Sequence, residues 1–389
     1  MKVLHIHAGI HYGGIQRIIA TLARYAGLTP GLEQEFALCF NGRLSRELDA
    51  FGARRHSLGP VRIRYIWQAL RSRSALTAIL RDGGHDAAVC HGSWALGVFG
   101  GAIQRAGVPL VYWMHNDTPE RRKNLVETVA AKTRPCLVIG NSQFTASSIP
   151  LAFDRIPPSE VLPNPVDEPE LAVPRAPLRK AVRRELGTDP DAVVILLAAR
   201  PEAWKGHRLL MAALLRLADL GGWEAWIVGG AVNMEQAWLL AGLEREAADG
   251  GIANRVKFTG QRDDVPRIMA AADVFCQPNL SPEPFGIVFA EALYAGLPVV
   301  SANHGGAREI VDDSCGILVS PGSIEKLAAA LRKLILRPDL RGRLAANAPG
   351  RARELTSPRR VIPRMEALFR RFVPRRSKRS GERSTPVSR

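Results

Sequence analysis

Residues 281–296 read Ser281-Pro282-Glu283-Pro284-Phe285-Gly286-Ile287-Val288-Phe289-Ala290-Glu291-Ala292-Leu293-Tyr294-Ala295-Gly296, and the chain is organised around them. A residue ahead of a proline is pushed out of helical geometry, which places Glu283, followed by Pro284, on a loop. A helix then begins near Gly286 and ends at Gly296, with Pro298 soon after. Between those ends Ile287, Val288, Phe289, Ala290, Ala292, Leu293, Tyr294 and Ala295 are apolar on nearly every side, the mark of a buried helix. Glu291 therefore sits in the interior. An unpaired buried carboxylate costs on the order of several kcal/mol, so a basic partner, hydroxyl groups or a ligand must receive it. The first amides of the same helix, at Phe285, Gly286 and Ile287, offer an anion site. One loop-to-helix joint thus carries two carboxylates and a phosphate cradle.

At 389 residues and 46% hydrophobic content, the chain is long enough for two domains with substantial cores. Its apolar runs are too short to cross a bilayer, and residues 1–7 read as a strand rather than a signal peptide. The five cysteines, Cys39, Cys90, Cys136, Cys276 and Cys315, stand far apart, which indicates neither a metal knuckle nor a disulfide framework and points to a reducing compartment. Lys and Arg number 53 against 37 Asp and Glu, a formal charge of +16, so something anionic is attracted: nucleic acid, an acidic membrane surface or a phosphorylated substrate. Part of the excess lies in the basic tail 374–389, read as disordered.

Taken in order, residues 2–7 form a buried strand, 8–14 a glycine-bearing loop and 15–26 a helix with Ile15, Ile18, Ile19, Leu22 and Ala26 on one face. This is a Rossmann-like opening. Gly9, Gly13 and Gly14 do not form the dinucleotide fingerprint, however, and a second strand at 36–40 ends at Asn41-Gly42 rather than at a ribose-binding acid. A dinucleotide cofactor is disfavoured, and Gly13 and Gly14 are equally readable as an ordinary tight turn. Further strands are expected at 87–91, 109–114, 136–139 and 160–162, alternating with helices, which argues for a parallel sheet covered on both faces. Between the second and third strands lie Arg54, Arg55, Arg62, Arg64, Arg71, Arg73 and Arg81, interleaved with Tyr65, Ile66, Trp67 and Leu70. They read as a solvated helix face or as a patch for a membrane surface or an anionic acceptor. His115 follows its strand directly, at the carboxyl edge where such sheets bind ligands, although on its own it reads first as a loop histidine with a local hydrogen bond.

Prolines and acids over 163–177 mark a linker, after which strands recur at 193–199, 225–228, 256–259, 274–277, 298–301 and 316–319. Arg200 and Lys205, on the loop leaving the first of these, face the same edge as Glu283 and suit a diphosphate, or else are two surface cations. Gly305 and Gly306 offer a place where a backbone approaches a ligand closely, and Glu309 follows, unless it only begins the next helix. A final helix from about Ser357 carries Val361, Met365, Leu368, Phe369 and Phe372 on one stripe against Arg359, Arg360, Arg364, Arg370 and Arg371.

In this order the features resemble family 4 glycosyltransferases, retaining enzymes of the GT-B fold, over the chain up to about Phe372. The most specific element is the Glu-x7-Glu motif of Glu283 and Glu291. Arg200 and Lys205, the loop of Gly13 and Gly14, and Gly305, Gly306 and Glu309 support it, as do Asn141-Ser142-Gln143-Phe144-Thr145 and Leu162-Pro163-Asn164. Gln16, Pro165 and Asn116 depart from the family's usual residues. The resemblance implies an α/β, GT-B architecture: two Rossmann-like domains facing each other across a cleft, with the C-terminal helix packing back toward the first. The expected divisions are an acceptor-side domain over 1–165, a nucleotide-sugar-binding domain over 166–356, the amphipathic helix over 357–373 and the tail over 374–389.

By the same resemblance, Glu283 would hold donor-sugar hydroxyls, Glu291 the ribose, and Arg200 and Lys205 the leaving diphosphate, assisted by the helix start at Phe285, Gly286 and Ile287. His115 would lie near the sugar from the other domain, the loop of Gly13 and Gly14 would close over the phosphates, and Gly305, Gly306, Glu309 and Asn141 would be secondary. The resemblance implies a nucleotide-diphosphate sugar as co-substrate, no cofactor and no metal. Two cations and helix amides stabilise a departing diphosphate without one. The partners implied are the donor, a glycan or glycolipid acceptor and an anionic membrane surface, with a cytoplasmic location peripheral to the inner face. Nucleic acid is disfavoured for want of a helix-turn-helix or an aromatic-studded basic motif. A nucleotide-sugar epimerase or a phosphorylase of the same fold stands as the rival reading. No oligomeric state is read from the sequence.

Overall fold

The computed structural model describes residues 1–10, 12–62, 65–118, 124–170 and 173–374; Arg64 and the basic tail from residue 375 lie outside the described residues. The first domain holds β1 (Lys2–His7), β2 (Glu33–Leu38), β3 (Arg55–Ser57), β4 (Ala87–His91), β5 (Leu110–Met114), β6 (Leu137–Gly140) and β7 (Ser159–Val161). They form one sheet in the order β3-β2-β1-β4-β5-β6-β7, parallel throughout. The second domain holds β8 (Val193–Ala198), β9 (Trp223–Val228), β10 (Val256–Gly260), β11 (Val274–Gln277), β12 (Val299–Ala302) and β13 (Gly316–Val319). Their order is β10-β9-β8-β11-β12-β13, again parallel. Parallel strands need helical crossovers, which cover both faces. The near-continuous apolar run of β8 is buried at every position as a result.

Each sheet reverses its strand order once, between β1 and β4 and between β8 and β11. At such a switch point the crossovers leave for opposite faces and open a crevice at the carboxyl ends of the strands. The two crevices meet: a Cβ added at Gly14, after β1, would stand 3.3 Å from the Ile287 side chain, after β11.

The chain crosses between domains twice. The Pro338–Thr356 helix places Ala348 and Ala352 in the core of the second domain. The Pro358–Phe372 helix instead buries Val361, Ile362, Met365, Leu368 and Phe369 against Val3, Ile18 and Leu22 of the first. At the crossing Val166 N donates to Thr356 O (2.9 Å). Arginines of this last helix face the first domain too: Arg364 donates to Val161 O (3.0 Å) and Arg371 pairs with Glu160 (3.2 Å).

Two expectations are corrected here. The strand expected at 36–40 runs over Glu33–Leu38, because Glu33, Gln34 and Glu35 look like loop yet lie in the sheet. Glu35 is 1% exposed and is received by Lys2 (2.8 Å), His56 (2.7 Å) and His85 (3.1 Å). The basic stretch is not one helix face: Arg55 lies on the edge strand β3, and only Ile66–Gly83 is helical.

Candidate active site at the two switch points

Leaving β8, the chain makes a short turn over Ala203–Lys205 and then Gly206, whose φ is +80°. A Cβ there would fall 2.2 Å from Pro278 O, so only glycine lets this loop lie against the loop after β11. That approach delivers Lys205 Nζ to Glu283 Oε2 at 2.6 Å, over the face of Trp204. Asn279 Nδ2 donates to the same Oε2 at 3.2 Å, and Oε1 takes part in neither bond. Arg200 does not join them. It is exposed and pairs with Glu202 at 3.2 Å, so the expected pair of cations is one at the joint and one at the surface.

Glu283 lies on a loop and the helix spans Ile287–Tyr294, capped by Gly286 at φ +96° with no side chain on its first amides. Phe285 is buried in the core beneath, and Ile287 touches the cores of both domains. Gly305 and Gly306 lie against the backbone of this loop. Gly306 N donates to Glu283 O (2.7 Å), and Cβ atoms at Gly305 and Gly306 would lie 2.6 Å from Glu283 O and 2.5 Å from Phe285 O. These glycines shape the backbone that carries Glu283.

Glu291 is 6% exposed, as its apolar helix requires. Burial raises its pKa, and the Arg17 guanidinium of the first domain, with which it forms an ion pair, works against that rise. Sequence reasoning missed Arg17, which lies one position beyond Gln16 on the Gly14–Arg24 helix. A cavity of about 190 Å³ opens beside the pair, lined by Tyr12, Arg17, Glu47, Asp167, Ile287 and Glu291.

Across the cleft, Gly13 N donates to Gln16 Oε1 (3.0 Å), which leaves Gln16 Nε2 to donate to His7 Nε2 (2.9 Å). His115 is 5% exposed; its Nε2 stands 3.0 Å from His91 Nδ1, and its carbonyl accepts from Asn141 Nδ2 (3.2 Å). Asn141 is thus a support for the His115 loop. The next residues form a seam between domains. Ser142 Oγ and Thr145 Oγ1 donate to Pro284 O (2.5 and 3.2 Å), while the Gln143 and Phe144 amides donate to Glu309 (2.8 and 2.9 Å). The Glu309 carboxylate thus caps a helix start of the other domain. The Ser-x-x-Thr cap of the Gln143–Ser147 helix was legible, but nothing in sequence pairs it with Pro284 or Glu309.

Residues 12–170 match Glycosyltransferase Family 4, and residues 179–351 match Glycosyl transferases group 1. The chain is 33% identical over 297 residues to a D-inositol 3-phosphate glycosyltransferase of Xylanimonas cellulosilytica, covering 70% of this chain and 69% of that one. It is 35% identical over 212 residues to the GDP-mannose-dependent alpha-(1-6)-phosphatidylinositol monomannoside mannosyltransferase of Mycobacterium tuberculosis, covering 51% and 52%. It thus spans about half the length of some curated relatives that it matches. The crystal structure of Anabaena Alr3699/HepE in complex with UDP-glucose superposes with a TM-score of 0.81 at 26% identity, covering 95% of this chain and 100% of that one. With both halves matched by these families and a relative at 33% identity covered over two thirds of its length, the chain belongs to glycosyltransferase family 4.

Proposed function

We propose that the protein moves a sugar from a nucleotide-diphosphate sugar to a hydroxyl acceptor, with retention and without a metal, in surface polysaccharide or glycolipid synthesis. One observation carries the reading: Lys205 and Glu283 in contact beside an uncapped helix start, at the β8/β11 switch point. The reaction makes the anomeric carbon oxocarbenium-like while a diphosphate departs, so stabilising that leaving group is the main electrostatic task. Lys205 and the amides at Gly286 and Ile287 take the larger part of that role, and Arg200, at the surface, a smaller one. Glu283 holds sugar hydroxyls, Glu291 the ribose, and His115 approaches the sugar from the other domain. No carboxylate is assigned as nucleophile. The acceptor hydroxyl attacks from the face the diphosphate leaves, and its proton passes to the departing phosphate. The relative named for UDP-glucose and the one named for GDP-mannose leave two bases to compare. A melting screen against UDP-, GDP- and ADP-sugars, with Glu283→Ala and Lys205→Ala alongside, tests the site: a shift in the native protein only is expected, and no shift with any donor overturns the assignment. Transfer to an acceptor, rather than isomerisation of the donor, excludes the epimerase.

We place the acceptor at an anionic membrane surface on the inner side of the cell. Among the described residues no helix is long and apolar enough to cross a membrane. The Ile66–Gly83 helix, however, exposes Ile66, Trp67 and Leu70 (74%, 62% and 55%) beside Arg62 and Arg71. Exposed apolar side chains flanked along the chain by arginine suit the headgroup boundary, and the mycobacterial relative is named for phosphatidylinositol monomannoside. Sedimentation with anionic but not neutral vesicles, lost in Trp67→Glu, is expected; equal sedimentation with both removes the surface.

A further inference from the structure

Three imidazoles stand in a line under the ligand edge of the first domain. His5 Nδ1 lies 3.0 Å from His91 Nε2, and His91 Nδ1 lies 3.0 Å from His115 Nε2. The register explains the line. His5 pairs with Val89 and His91 with Trp113, so each histidine stands two residues further along the next strand, on the same face. All three are at most 5% exposed. Their outer nitrogens, His5 Nε2 and His115 Nδ1, are buried without a hydrogen-bond partner among the described residues. Nor do any three His, Cys, Asp or Glu among those residues stand where they could share a metal ion.

The line has a fixed proton count. Burial keeps the rings neutral: His5 and His115 are lowered to about 3, and His91 falls well below the usual range. Each neutral imidazole carries one N–H, and each contact between rings takes one proton. Three rings supply three protons to two contacts, so one remains. It stands on His115 Nδ1, with every bond pointing one way, or on His5 Nε2, with every bond reversed. No arrangement that keeps both bridges places it on both ends or on neither. His7 shares no ring-to-ring bridge with the line, although its charge also disfavours protonation of His91 and His115; Gln16 donates to its Nε2 and so places its proton on Nδ1.

We propose that His91 and His5 are positioning residues for the transfer: they hold Nε2 of His115 within the line, leave Nδ1 alone for a hydroxyl of the sugar, and let that hydroxyl decide whether Nδ1 donates or accepts. The inference rests on the transferase reading. A hydroxyl that donates finds a lone pair on Nδ1 and the spare proton on His5 Nε2; one that accepts draws the proton to Nδ1. The line thus gives His115 two states of equal charge without exposing it to water. An imidazole whose second nitrogen is held by a partner keeps its orientation and tautomer, as histidines at metal sites show.

The test uses the full chain labelled with 15N-histidine, together with UDP-glucose and GDP-mannose as donors. His91→Phe keeps a ring against His115 and Trp113, whose centroids lie 5.3 and 5.4 Å from that of His91 and 5.8 Å from each other, but removes both bridges. His91→Asn restores an amide at the place of Nδ1, against His115. The expected result is a kcat lowered about 10–100-fold in His91→Phe, with the KM for the donor nearly unchanged and much of the loss recovered in His91→Asn. Two-bond proton–nitrogen spectra of the native protein should show His115 neutral, with His115 Nδ1 and His5 Nε2 always in opposite states, and His91→Phe should break that correlation. A folded His91→Phe with native kcat, or native spectra in which His115 Nδ1 and His5 Nε2 are in the same state, overturns the inference. If neither donor raises the melting point or is turned over, the transferase reading fails instead, and the spectra still decide the tautomer.

Discussion

Arg17, on the first helix of one domain, forms an ion pair across the cleft with Glu291, which is buried in the helix that opens the other domain's ligand site. The carboxylate proposed for the ribose is therefore received by a side chain of the other domain. The pair also ties the two switch points together at the depth of the cleft.

Arg17→Ala leaves the Glu291 carboxylate buried without its cation. Arg17 is about half exposed, so the loss should fall on the order of 1–3 kcal/mol, below that of a fully enclosed pair. Glu291→Gln removes the charge that needs a partner, and the double variant should recover most of the loss. A urea-denaturation cycle measures the coupling; if the double variant is no more stable than Arg17→Ala, the pair is not what holds the carboxylate.

Lys205 is enclosed against Glu283 and Trp204. Removing a charge that stabilises a departing anion typically costs about 10²–10³ in turnover, so Lys205→Ala should lower kcat by about that factor while Arg200→Ala, at the surface, loses less. Steady-state kinetics on both variants checks the ranking, and an equal loss would restore Arg200 to the joint.

Gly305 holds a φ of +59° and lies against the backbone of Glu283. Gly305→Ala should move Glu283 without touching a ligand directly. The expected outcome is a folded protein with transfer lowered about tenfold or more, as small displacements of a positioned group commonly do. Native kinetics in Gly305→Ala would show that the loop tolerates the shift.

Burial lowers His5 and His115 to about 3 and His7 and His207 to about 4. Their folded values lie below the unfolded value near 6.5, so the unfolded chain takes up these protons first as the pH falls. The stability they contribute is complete above about pH 6.5 and is lost as the pH falls, down to about 4 for His7 and His207 and about 3 for His5 and His115, by up to about 1.4 kcal/mol per pH unit for each. Burial pushes the Glu35 carboxyl up, but Lys2, His56 and His85 together outweigh it and hold it at about 2. Its contribution is lost only below about pH 4.5 and leaves the higher window to the histidines. Urea midpoints should drop steeply from pH 7 to pH 5, and equal midpoints would mean that these rings are charged in the folded protein.

Much of the fold lay in local pattern. Apolar runs such as β8 and β11 announce strands buried on both faces, and their alternation with helices announces parallel sheets. β3 escaped because three polar residues on a sheet edge carry no such pattern. The loop position of Glu283, the burial of Glu291 and the cap at Gly286 were equally legible, since each depends on neighbours within a few residues.

The amino-acid sequence by itself therefore determined the two sheets, the joint between Glu283 and Gly286, and the need of Glu291 for a partner. Only the tertiary structure decided which partner: Arg17 for Glu291, Lys205 for Glu283, the Gln143 and Phe144 amides for Glu309, and His91 for His115. Burial is set by periodicity along the chain, which a local reading recovers. A partner is set by where strand order and domain packing bring distant segments together, and residues such as Gln143 and Glu309, 166 positions apart, carry no mark of each other until they meet.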